Sequence, residues 1–140
     1  MAFNFPRAWL EKSWNFSFSG LKTAVMREVR KLEAKGGPLP TPDLAASFQA
    51  AVVDVLVSKT MRAAKEHSVK GVVIAGGVSA NRALRQSFQL RNPSSLFIPP
   101  LSLCTDNAAM VAGAGYYRFI HGQRDPMDLD ASPNWPLSEE

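Results

Sequence analysis

The chain has 140 residues with a net charge of +4, a length that suits one domain or part of a larger one and lets roughly two-thirds of the unfolded surface be buried. Its one cysteine, Cys104, excludes an intrachain disulfide framework and points to a reducing compartment. The opening Met-Ala-Phe-Asn-Phe-Pro-Arg lacks the order of a secretory leader, and no uninterrupted apolar run nears the ~20 residues of a membrane helix, so a soluble cytoplasmic protein with no membrane partner is expected.

Trp14, Phe16 and Phe18 alternate with Asn15, Ser17 and Ser19, which predicts a half-buried strand ending at Gly20. Leu21, Val25, Val29 and Leu32 then recur at helical spacing until Gly36-Gly37-Pro38 stops the pattern. Thr41-Pro42-Asp43 reads as N-cap, first-turn proline and helix-start acid for a second helix running to about His67. The broad stripe of Leu44, Phe48, Ala51, Val52, Val55 and Leu56 predicts that this helix is well buried. Val72 to Ala75 is short and continuously apolar, as in a strand covered on both faces. A helix from about Ser79 to Leu90, a short strand at Leu96 to Ile98 and a last helix capped by Thr105 and ending near Gly122 complete the layout. The last helix is crowded with small residues, Ala108, Ala109, Ala112, Gly113, Ala114 and Gly115, a surface that permits close packing. Residues 1–122 are read as one portion of a domain and residues 123–140 as an irregular acidic tail. The order is an α/β layout with too few strands for a large sheet, so the chain reads as a piece of a larger two-lobed protein.

Charge is uneven along this layout. Residues 1–92 hold 14 Lys and Arg against 6 Asp and Glu, whereas residues 93–140 hold 2 against 6. A basic body suits a polyanion such as RNA; equally, Arg27, Arg30, Lys31 and Lys35 would keep one helix face wet.

The chemistry concentrates at element ends. In Val72 to Arg85 a strand pattern meets Gly76-Gly77 and then a helix. Glycines let the backbone turn sharply and approach a ligand, Ser79 is a good N-cap, and Asn81 falls in the first helical turn, facing whatever binds there. An ordinary βα connection has the same residues, and neither G-x-G-x-x-G nor a P-loop is present. Asp106 is favoured by a helix dipole on structural grounds alone, and its carboxylate also suits a hard cation. Cys104 has no histidine near it in sequence to make it a nucleophile.

Taken in order, Asn15-Phe-Ser-Phe-Ser-Gly-Leu-Lys-Thr23, Ala45-Ala-Ser-Phe-Gln49, Ala75-Gly-Gly-Val-Ser-Ala-Asn81 and Pro99-Pro-Leu-Ser-Leu-Cys-Thr-Asp-Asn107 resemble the C-terminal half of the TsaD family of tRNA threonylcarbamoyl transferases. The resemblance implies the actin-like ATPase (ribonuclease H-like) two-lobed fold, with this chain mainly the C-terminal lobe. It implies transfer of a threonylcarbamoyl group from threonylcarbamoyl-adenylate to the adenosine next to the anticodon of ANN-decoding tRNAs, in a complex with other subunits. By the same resemblance Gly76 and Gly77 would line the adenylate pocket, Asn81 would hydrogen-bond the substrate, and Asp106 would be one ligand of a divalent metal, iron, zinc or magnesium. Ser17, Ser19 and Lys22 belong to a family motif near the cleft without individual roles, and no catalytic residue is assigned.

The family's other metal ligands form a His-x-x-x-His motif, and this chain has only His67 and His121, each read as a solvated or helix-capping imidazole. One carboxylate does not make the three-ligand cage of catalytic metal sites, so the chain by itself is expected to be inactive. Two other functions fit the family's older label and the small-residue helix: a metal-dependent O-sialoglycoprotein endopeptidase, and a non-catalytic lobe that dimerises or binds partner subunits.

Overall fold

The computed structural model describes residues 2–9, 13–91 and 95–130. They form two compact units, Met1–Thr105 and one beginning at Asp106, described separately below.

In the first unit α1 (Ser19–Glu33) and α2 (Thr41–Glu66) are followed by β1 (Val72–Val73), a 3-10 turn (Gly77–Ala80), α3 (Arg82–Arg91), β2 (Leu96–Phe97) and a second 3-10 turn (Leu101–Leu103). β1 and β2 pair in parallel, Val72 beside Leu96 and Val73 beside Phe97, with α3 as the crossover. Both strands end at the same, carboxyl-terminal end of the sheet, where α/β folds place ligands.

Two apolar clusters hold this unit. Val53 and Val57 of α2, Val72 of β1 and Leu84 and Phe88 of α3 form one, with Leu56, Ile74 and Leu96 packed against it. Phe5, Leu21, Leu44 and Ala51 form the other and fasten the N-terminal segment and α1 to α2. Burial of each large side chain contributes about 1.5–3 kcal/mol. α2 feeds both clusters, and this explains its broad apolar surface. By length and composition it is apolar enough to cross a membrane, but here it serves as a core helix with buried Leu44, Ala51, Val53, Val55 and Val57. Arg7 ties the N-terminal segment down further, with Nε 3.3 Å from Asp54 Oδ2 and Nη1 donating to the Phe5 carbonyl at 2.8 Å.

Several sequence expectations need correction. The alternating segment from Trp14 to Phe18 is not a strand: it pairs with no other strand among the described residues, and Gly20 lies inside α1. Alternation supplies one apolar face, whereas a strand also needs a neighbour for its backbone. Val72–Ala75 is not covered on both faces, since Val72 is buried but Val73 is 67% exposed. Phe48, placed in the buried stripe of α2, is also exposed. Thr41 opens α2 without capping it; Pro40 holds the cap position, and the Thr41 hydroxyl donates back to the Leu39 carbonyl at 3.4 Å.

The second unit contains α4 (Ala108–Ile120), whose residues are all exposed. Its cap is Asn107, not Thr105: Asn107 Oδ1 accepts from the Met110 N–H at 3.0 Å, which leaves Asp106 just ahead of the helix and exposed. His121 closes α4 with Nδ1 2.7 Å from the Tyr117 carbonyl, the capping imidazole the sequence suggests. Gln123–Asp130 hold no helix or strand, and Arg124 folds back with its guanidinium 3.8 Å from the Phe119 ring centroid. The rest of the expected acidic tail, 131–140, lies outside the described residues.

Candidate functional site

The turn that leaves β1 is built from short-range bonds. Gly76 has φ +84°, a conformation that side-chain-bearing residues rarely adopt. That rotation lets its carbonyl accept both from the Ser79 N–H at 3.0 Å and from the Ser79 hydroxyl at 2.6 Å. Ser79 is therefore buried inside the turn as a brace and is not the cap of α3. A 3-10 turn intervenes and α3 begins at Arg82, three residues later than the sequence reading put it.

Asn81 does the capping. Its Oδ1 accepts from the Leu84 N–H at 3.0 Å, and its Nδ2 donates to Gln49 Oε1 of α2 at 2.9 Å. Asn81 lies just before the first helical turn, with both ends of its amide engaged and one of the two Nδ2 hydrogens left over. Gly77 packs loosely: a Cβ there would meet only Thr105 Cγ2, at 4.0 Å.

Beside this turn lies a groove of about 800 Å³. Phe16 and Phe18 line it from one motif, Phe48 and Gln49 from a second, and Ser79 and Asn81 from a third. Three segments far apart in sequence thus converge on one surface. Its floor is apolar, with Val52, Leu56 and Val73, while Gln49 and Asn81 make a bonded polar pair on it.

Lys59 of α2 is 2% exposed, and its Nζ donates to the Asn15 carbonyl and stands 5.4 Å from the Phe16 ring centroid. Desolvation, and secondly the charge of Arg62, lower its pKa from the usual 10.5. Arg62 in turn lies over Trp14, 5.0 Å from the ring centroid, and Trp14 meets the His67 ring edge-on. These contacts hold the segment before α1 against α2. Ser17 is half-buried, whereas Ser19 and Lys22 are exposed at the start of α1.

The structure therefore gathers Gly76, Gly77 and Asn81 in the first unit and adds two partners that the sequence reading left without a role, Gln49 and Arg85. Gln49 lies in the Ala45-Ala-Ser-Phe-Gln49 motif, but only the fold reveals its contact with Asn81. Asp106 opens the second unit. Among the described residues no three His, Cys, Asp or Glu side chains are grouped so as to hold a metal. Cys104 is buried, its Sγ 3.3 Å from the Pro100 carbonyl, as a packed thiol would be.

The family model for tRNA N6-adenosine threonylcarbamoyltransferase, TsaD, matches residues 1–113. The chain belongs to the TsaD family. It is similar to the tRNA N6-adenosine threonylcarbamoyltransferase of Bacillus subtilis, 52% identical over 138 residues, which is 95% of this chain and 40% of that protein. The proteins of the same name from Geobacillus kaustophilus and Listeria innocua are 52% and 50% identical over 94% and 98% of this chain, and 40% and 42% of their own lengths. The chain thus spans about two-fifths of the length of the relatives it matches.

Proposed function

We propose that this chain is the C-terminal portion of a tRNA N6-adenosine threonylcarbamoyltransferase, mainly the C-terminal lobe of an actin-like two-lobed fold, and that the Gly76–Asn81 turn is one wall of its adenylate site. The observation that carries the reading is the family match across residues 1–113, which includes the segments meeting at the groove. In the reaction the exocyclic amine of a tRNA adenosine attacks the carbonyl carbon of threonylcarbamoyl-adenylate. The new C–N bond forms as the C–O bond to the phosphate breaks; AMP leaves and the amine proton passes to solvent.

This chain's part is binding and orientation, which lowers the barrier by holding the acyl group for attack. Gly76 and Gly77 let the backbone approach the nucleotide, and the remaining Nδ2 hydrogen of Asn81 is the donor offered to it. The site is cytoplasmic in this reading, and its partners are the adenylate, tRNA and the other subunits of the transferase complex. The exposed, small-residue surface of α4 is offered to a second copy of the chain or to one of those subunits. A divalent metal belongs to the family reading, with Asp106 as one ligand. The described residues do not by themselves fit such an ion, because one exposed carboxylate is not a three-ligand cage, and no step is derived through it.

The test is a chimera in which this chain replaces the matching part of the Bacillus subtilis relative. Transfer of labelled threonylcarbamoyl from the adenylate to tRNA is expected from the chimera and not from the chain alone. A folded chimera that still binds tRNA but transfers nothing would overturn the reading.

A further inference from the structure

Arg85 is the residue that neither the motifs nor the reaction accounts for. It sits on the second turn of α3, half-buried, with its guanidinium shared among three acceptors. Nε donates to the Ser79 carbonyl at 2.6 Å, and Nη2 donates to the Pro99 carbonyl at 3.2 Å and to Cys104 Sγ at 3.0 Å. Ser79 belongs to the turn that leaves β1; Pro99 and Cys104 belong to the loop that leaves β2. Because β1 and β2 are parallel neighbours, those two loops emerge at the same carboxyl-terminal end of the sheet, and one planar cation joins them.

The choice of residue matters. A guanidinium presents donors in a fixed plane, so acceptors on separate loops are held at set positions relative to one another; an ammonium on a flexible stem imposes no such frame. The acceptors are two carbonyls and a sulfur, and Arg85 forms no ion pair with a carboxylate among the described residues. Its bonds are therefore spent on the loops. Ser79 passes the constraint on, since its hydroxyl and N–H both hold the Gly76 carbonyl. At the other end Cys104 donates its S–H toward the Pro100 carbonyl while accepting from Arg85, so the sulfur fixes the β2 loop to the same cation.

We propose that Arg85 is a positioning residue for the adenylate-facing turn: it couples the Gly76–Asn81 turn to the Pro99–Cys104 loop, so that substrate affinity depends on a side chain that does not touch substrate. This rests on the transferase reading above. Arg85→Lys, which keeps the charge and loses the fork, is expected to raise KM for threonylcarbamoyl-adenylate about tenfold in the chimera while kcat changes far less, the signature of lost binding geometry. In the same variant iodoacetamide should alkylate Cys104 about tenfold faster under native conditions, because a buried thiol is modified only when its loop opens. Should Arg85→Lys fail to fold, Cys104→Ala removes one of the three acceptors and should raise KM in the same direction by less. A KM unmoved in the folded variants overturns the proposal, even where alkylation accelerates, since the coupling would then be structural only. An unsubstituted chimera that transfers nothing overturns the transferase reading and this proposal with it, whereas an active chimera indifferent to Arg85 overturns the proposal alone.

Discussion

Asn81 carries two loads that one substitution can separate. As the cap of α3 its Oδ1 satisfies the Leu84 N–H, and as an amide donor it reaches Gln49 and offers one further hydrogen. Asn81→Ala loses both, and loss of a cap alone costs about 0.5–2 kcal/mol, so the substitution should lower the urea midpoint. Asn81→Asp keeps a capping oxygen beside the positive end of α3 but gives up the donors. Its unfolding midpoint should lie close to that of the unsubstituted protein while KM for the adenylate rises, and an unchanged KM would remove Asn81 from the substrate wall. The neighbouring glycines offer a second contrast. Gly76→Ala places a Cβ at φ +84° and ψ 169°, an extended region essentially reserved for glycine, and should cost about 1–3 kcal/mol in equilibrium unfolding although nothing crowds the new atom. Gly77→Ala has no positive φ and meets only Thr105 at 4.0 Å, so a loss comparable to that of Gly76→Ala would contradict the strain argument.

Among the elements α2 does the most, because it packs on α1, on α3 and on the segment before α1, where Lys59 is its polar link. Desolvation holds the folded pKa of Lys59 below 10.5, so between that lowered value and 10.5 the unfolded chain binds more protons than the folded one. Stability then rises with pH across that window, and below it the folded protein carries a constant penalty for the buried charge. Lys59→Met should flatten that part of the curve of unfolding free energy against pH; an identical slope in both proteins would show that other groups set it. The same helix illustrates what was legible in the sequence. Its span was readable within a residue at each end, because Pro42, Asp43 and a long apolar stripe are local signals. The strand pattern at Trp14–Phe18 misled because alternation is local while pairing is not. The cap of α3 was misplaced because Ser79 and Asn81 are both good caps in sequence, and only the positive φ of Gly76 turns Ser79 inward to brace the turn. Gln49 and Arg85 were invisible as site residues for a similar reason: their partners lie 32 and up to 19 positions away, beyond the reach of any helical or strand period.

At the scale of the whole molecule, the two-stranded sheet has an open side among the described residues. A parallel ladder uses alternate residues on each edge: Val72 and Ile74 donate to the carbonyls of Ser95 and Phe97, so Val73 turns its N–H and C=O the other way. Among the described residues nothing accepts or donates there, and Val73 lines the 800 Å³ groove together with Phe16, Val52 and Leu56. A free strand edge beside an apolar floor is built for strand addition, in which backbone bonds supply affinity and alternate apolar side chains fill the floor. Two short strands alone are only marginally stable. The relatives carry about three-fifths of their length outside the matched part, and on the transferase reading proposed above an extended segment from that part is the occupant expected. The consequence is measurable by hydrogen exchange and light scattering. Alone, the chain should associate at high concentration and exchange the Val73 amide rapidly; in the chimera that amide should become protected along with those of Val72 and Ile74. Val73→Pro removes only the outward N–H, leaving the β1–β2 ladder its donors, and should leave the chain folded while weakening its hold on the added strand. A Val73 amide that exchanges as fast in the active chimera as in the chain alone would place the occupant elsewhere.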